Sequence, residues 1–261
     1  MRANTLFLLS TLIVPLTLHA QTETPPPEKQ VHVEDGGTRG VLESIVITPM
    51  ANAPFTLTLQ TEWVRALSDG GTITVVNERR IARDGTGRIY EERWLLVPKN
   101  GTVKSRMTTI QIADPNSHTL YNCFLDGPHV CTLVNYSATT STVFNFEGPP
   151  PGPLPNGTGY ATRESLGNQM IAGVDTVGTR ESVVYNPGVV GNDQKFTTSR
   201  EYWFAAQLGI NLLSKRSDPR FGTETFTVTS VDLSEPAPEL FNLPDGFKVV
   251  DHRATAAVQT N

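Results

Sequence analysis

Apolar residues take alternate positions in the segment PFTLTLQTEWVRAL, at Phe55, Leu57, Leu59, Trp63 and Leu67, with Thr56, Thr58, Gln60 and Glu62 between them. A period of two buries one side of an extended strand and leaves the other wet, whereas a helix would scatter the same residues around its axis. Turn clusters follow at short intervals, SDGG at 68–71, DGTG at 84–87 and PKNG at 98–101, and each can reverse a strand. The runs between them, TITVVNERRIAR, RIYEERWLLV and MTTIQIA, complete with the YNCFLDGPHVCTLVNY hairpin a meander of about six strands. No segment keeps a helical period, and nineteen prolines with twenty-one glycines suit a chain of many turns. The fold class is therefore all-β. With almost no helix to cover them, the apolar faces require one large antiparallel sheet curled into a half-barrel or packed as a sandwich, with one or two short helical turns.

The first twenty residues, MRANTLFLLSTLIVPLTLHA, have a basic start, an apolar run from Leu6 to Leu18 and a small residue before Gln21. They read as a cleavable signal peptide over 1–20, since a membrane anchor needs about 20 uninterrupted apolar residues. Export to the periplasm or the extracellular space follows, with no stable membrane insertion after cleavage. Residues 21–40, with Pro25-Pro26-Pro27, read as a flexible arm. Residues 41–250 form a single β domain, interrupted at 147–159 by the Pro-rich run EGPPPGPLPNGTG, which suits either a linker or a strap across a sheet. Strands resume in SLGNQMIAGVDTVGTRESVVY, KFTTSREYWFAA, INLLSKRS and GTETFTVTSVDL. Pro236 and Pro238 then start a short helical turn whose Leu240, Phe241 and Leu243 plug an apolar surface, and 251–261 is a disordered tail.

Cys123 and Cys131 flank the turn residues Asp126-Gly127-Pro128, and folding the segment about Gly127 places them opposite each other. Facing positions of antiparallel strands lie within disulfide reach, and an exported chain meets oxidising conditions. A net charge of −5 without a Lys/Arg block argues against a nucleic-acid partner. The histidines have no metal-ligand spacing, no Gly-x-Ser-x-Gly elbow occurs, and DGTG and SDGG are explained as hairpin turns. Glu91-Glu92 point to opposite faces of a strand, one solvated and one ion-paired. No enzyme, cofactor or metal site is expected.

The aromatic residues suggest another use. Trp63 and Trp94 sit mid-strand among Leu57, Leu59 and Leu96, and either fill a core or line a hollow for an apolar ligand. The expected function is a non-enzymatic exported module that binds a hydrophobic small molecule or lipid through Leu57, Leu59, Trp63, Trp94 and Leu96. The alternative is an envelope protein that meets another protein with a self-filled core, and a hydrolase comes last.

The runs RIARDGTGRIYEERW, DPNSHTLY, RESLGNQMIAGVDTVGTRES and GNDQKFTTSREYWFAAQLGINLLSKRSDPRFGTETFTVTSVDLSEPAPELFNLPDGF resemble an uncharacterised family of exported proteins from soil bacteria of the acidobacterial type. The resemblance implies export into a bacterial envelope and a β-rich single domain, and supplies no catalytic residues. In strand order and closing Phe/Pro element the chain also resembles the LolA-type half-barrel of periplasmic lipoprotein carriers.

Overall fold

The computed structural model describes residues 45–136 and 148–253; the expected signal peptide at 1–20 and arm at 21–40 lie outside them. The alternating segments become strands as anticipated. Before the Pro-rich run lie β1 (Phe55–Ala66), β2 (Thr72–Arg83), β3 (Ile89–Trp94), β4 (Val97–Pro98), β5 (Met107–Asp114), β6 (Thr119–Phe124) and β7 (Val130–Asn135). After it come β8 (Gly152–Pro153), β9 (Gly159–Ile171), β10 (Val174–Tyr185), β11 (Phe196–Ala205), β12 (Ile210–Asp218), β13 (Gly222–Asp232) and β14 (Lys248–Asp251).

All fourteen strands belong to one sheet in the order β14-β7-β6-β5-β3-β2-β1-β13-β12-β11-β10-β9-β8, with β4 paired to β2 beyond the end of β3. Each half is a run of hairpins, and the halves join where β1 pairs antiparallel with β13. The described part of the Pro-rich run supplies β8, an edge strand of this same sheet. The sheet is unclosed, ending at β14 and β8, and it curls, as a twisted sheet of this many strands does.

Register carries one face across the sheet: Leu57 stands opposite Ile81, Ile81 opposite Glu91, and Thr61 opposite Phe226. On this front face Phe55, Leu57, Leu59, Ile81, Ile89, Phe226 and Val228 form the main core, joined by Ile45 and Ile47 of the lead segment and by Leu208. The back face has a smaller core, in which Ala82, Tyr90 and Ile112 meet Phe241. Phe241 belongs to the short helical turn Pro238–Phe241, with Leu240 and Leu243 packed beside it, as the sequence indicated.

Arg83 ties the lead segment to the front core. Its side chain is fully buried and donates from Nε and Nη2 to the Ala53 carbonyl, at 3.0 and 2.8 Å, from Nη1 to Thr48 at 2.7 Å, and from Nη2 to Leu208 at 2.8 Å. The guanidinium also lies 4.7 Å from the Phe55 ring centroid. Burial lowers its pKa to about 10, which leaves it charged at neutral pH. A buried cation is tolerated here because three carbonyl dipoles replace its water.

Cys123 and Cys131 are paired across β6 and β7 and joined in a disulfide. The strand ladder ends at Phe124 and Val130, so the intervening loop is Leu125–His129, wider than the Asp-Gly-Pro cluster alone. β14 has no counterpart in the sequence reading. It pairs parallel with β7, Val249 beside Cys131, and the described chain continues through Arg253, whose guanidinium is bonded to Asp251. Among the described residues, no helix is long and apolar enough to cross a membrane.

Candidate functional site

Beyond the apolar core, the front face of the β9–β13 wing turns polar. One row of cross-strand partners runs Arg163, Glu181, Arg200, Arg216, Glu224 and on to Trp63 of β1. Two adjoining cavities lie over this row, each of about 260 Å³, sharing Val46, Glu181, Arg200 and Asn211. Val183, Tyr185 and Phe226 of the sheet and Ile45 of the lead segment give one of them an apolar wall. Together they form a groove in which a hydrocarbon surface stands against guanidinium groups.

The groove's acids are held by specific donors. Glu181 is 9% exposed. Its Oε1 accepts from Arg163 at 2.9 Å and from the Tyr202 hydroxyl at 3.5 Å, and its Oε2 from the Gly148 amide at 3.3 Å. Arg220 grips Asp218 with both arms of its fork, Nε to Oδ1 at 3.0 Å and Nη2 to Oδ2 at 2.7 Å. Burial alone would raise the Asp218 pKa, but these bonds and the neighbouring Arg216 charge hold it below the usual carboxylate range. The Arg220 guanidinium lies 5.2 Å from the ring centroids of both Phe196 and Phe221, so one arginine is spent on fixing the groove's rim.

The structure divides the five residues expected to form a hollow. Leu57 and Leu59 are fully buried in the front core. Trp63 follows on the same face, half-buried, its indole N–H donating to the Phe221 carbonyl at 2.9 Å and its backbone opposite Glu224 of the groove. Trp94 has the opposite parity. It shares the back face with Glu92, to whose carboxylate its indole N–H donates at 2.9 Å. Leu96 lies half-buried in the break between β3 and β4. The two tryptophans thus stand on opposite sides of the sheet, since residues 57 and 91 share a face through Ile81 and 94 is an odd number of residues beyond 91.

The Glu91-Glu92 pair also differs from expectation. They do point to opposite faces, but both are ion-paired, Glu91 with Arg93 at 2.9 Å and Glu92 with Arg80 at 3.0 Å. Arg200, Arg216 and Glu224 were not singled out in the sequence, because each looks like an ordinary charged position on a half-wet strand. The available signal was charge at matching positions of three successive strands, which only the register turns into a row.

No family model matches the chain, and no curated protein matches it. Among solved structures, an uncharacterized conserved protein from Thermus thermophilus is 10% identical over 77% of this chain and 91% of its own, with a TM-score of 0.38. The Pseudomonas aeruginosa MucA/MucB complex gives 16% identity over 76% of this chain and 58% of the other, with a TM-score of 0.36. A LolA superfamily protein from Nitrosomonas europaea gives 9% identity over 75% of this chain and 92% of its own, with a TM-score of 0.29. At such scores the likeness assigns no function.

Proposed function

We propose that this chain is an exported, non-enzymatic binding module that takes a hydrophobic or lipid-like molecule into the front-face groove. The observation that carries the reading is the pair of adjoining cavities with an apolar wall formed by Val183, Tyr185, Phe226 and Ile45. Ligand sites combine such apolar lining with a few placed polar groups. Leu57 and Leu59 then support the site from within the core, and Trp63 flanks it through Glu224. Export is supported by the leader sequence together with the Cys123–Cys131 bridge, a bond that persists in oxidising compartments.

Titration with pyrenedodecanoic acid tests the proposal. Saturable binding is expected, and Ser214→Trp, which places a large ring in the cavity walled by Val183, Tyr185 and Phe226, should abolish it while the far-UV spectrum stays β-rich. Absence of saturable binding to the native protein, or binding that Ser214→Trp leaves intact, removes the reading.

A second reading is a protein-interaction module, favoured by the outer edge of β9. Among the described residues that edge is engaged at its start, where Tyr160 and Ala161 pair with β8 and the Gly159 carbonyl accepts from the Leu154 amide. A strand edge of this kind can accept a partner's strand. A pull-down from periplasm that recovers a partner, lost on introducing Pro at Asn168, would support it.

A further inference from the structure

Resting on the groove reading above, we infer that Asn211 selects the ligand, and that the ligand joins its apolar part to an uncharged group that both donates and accepts a hydrogen bond, a hydroxyl or an N–H amide. Asn211 lines both cavities of the groove, and the fold places it there through a bulge. On β12, Leu213 stands opposite Trp203 and Lys215 opposite Glu201, on the back face. Strict alternation would put Asn211 with them. Leu212 is an extra residue at this point, so Asn211 stands opposite Phe204 instead, which follows Arg200 and Tyr202 on the front face. An inserted residue of this kind re-aims a side chain, and such bulges are over-represented next to active sites.

The side chain so placed is out of keeping with its surroundings. Asparagine is depleted in strands, and a carboxamide drawn out of water ordinarily finds a partner within the protein. Each of the other buried or half-buried asparagines among the described residues makes at least one such bond. Asn77 donates to the Trp94 carbonyl, Asn122 accepts from Gln111, Asn186 donates to the Gly157 carbonyl, and Asn192 to those of Asn186 and Gln194. Asn211 is half-buried, and its carboxamide bonds to none of the described residues. A residue that breaks a local rule without serving the fold marks a functional position. The carboxamide offers an acceptor oxygen beside a donor nitrogen, so the group that completes it supplies a donor and an acceptor of its own. Val183, Tyr185 and Phe226 line one of the same cavities and take the hydrocarbon attached to that group.

Decanol and its isomer methyl nonyl ether have the same size and differ in the O–H donor. Each is titrated against native protein loaded with pyrenedodecanoic acid as reporter. Decanol should displace the reporter about fivefold more effectively, the increment of one neutral hydrogen bond. Asn211→Leu should bring decanol to the affinity of the ether and leave the ether's own unchanged. Its urea midpoint should hold or rise, because no bond within the protein is lost; a lower midpoint would show that the asparagine serves the fold and would overturn the inference. Equal displacement by the two isomers, or displacement by neither, also overturns it and leaves the groove reading standing. Absence of saturable reporter binding overturns the groove reading itself, and this inference with it. Because the native comparison needs no variant, the test survives poor folding of Asn211→Leu.

Discussion

Replacing Arg83 with methionine removes a side chain of β2 that bonds both the lead segment and the loop after β11. The substitution leaves the carbonyls of Ala53, Thr48 and Leu208 without the donors they have now. Each buried carbonyl so stranded costs about 1–3 kcal/mol. Opposing terms are the desolvation of the guanidinium, which methionine does not incur, and a gain of roughly 1–2 kcal/mol from burying thioether and methylene surface. The balance is a loss of about 3–5 kcal/mol, a large part of the roughly 5–15 kcal/mol that holds most domains folded.

In urea, with a slope of about 2 kcal/mol per M for a domain of this size, the midpoint should fall by about 2 M at unchanged slope. Arg83→Lys keeps the charge but not the fork, and should lose roughly half as much. Amide exchange adds a local readout: protection at Asn52, whose N–H donates to the Gly85 carbonyl at 2.9 Å, should drop before the strands open. A methionine variant within about 1 kcal/mol of the native protein would refute the view that these carbonyls depend on Arg83.

Three further outcomes follow. Replacing both Cys123 and Cys131 by serine opens a link spanning 8 positions and should cost about 2–3 kcal/mol in the chain-entropy model, read as a lower thermal midpoint of a still β-rich protein; a complete loss of fold would show that the bridge does more. Gly178→Ala would put a methyl 2.7 Å from the Trp203 ring, so about 1–3 kcal/mol should be lost, with an altered near-UV signal, and a neutral result would mean that the ring can move aside freely. In Asp84, Glu201 and Asp218 burial raises the pKa, but hydrogen bonds with Thr86 and Arg88, Trp203 and Arg180, and Arg220 respectively outweigh it and hold the folded value low. Each therefore contributes stability that is complete above its unfolded value near 4 and lost as pH falls through the folded one; the urea midpoint should hold down to about pH 5 and then drop, and a rise on acidification would contradict the sign.

Much of the fold was legible because its signals are local. Alternation in β1, the turns at 68–71 and 84–87, and the symmetry of Cys123 and Cys131 about Gly127 each act within a dozen or so residues. The pairing of β1 with β13 is different. Trp63 meets Glu224 across most of the chain, and neither strand bears a mark of its partner. Register accumulates in the same way. Whether Trp63 and Trp94 share a face depends on the alignment of β1, β2 and β3, and a shift of one residue would reverse the answer. The groove was hidden for a related reason, since Arg200, Arg216 and Glu224 acquire meaning only as neighbours.

The tryptophans show what the chain does with large aromatics on the back face. In β3, Glu92 faces Arg80 of β2 and accepts from the indole of Trp94 two residues on. In β11, Glu201 faces Arg180 of β10 and accepts from the indole of Trp203, again two residues on. Each component answers a need of the others. A half-buried indole N–H requires an acceptor, a carboxylate drawn out of water requires a cation, and the strand period of two delivers both to one face. The device recurs on two separate hairpins, so the sheet's own stability accounts for the polar end of Trp94 as it does for that of Trp203.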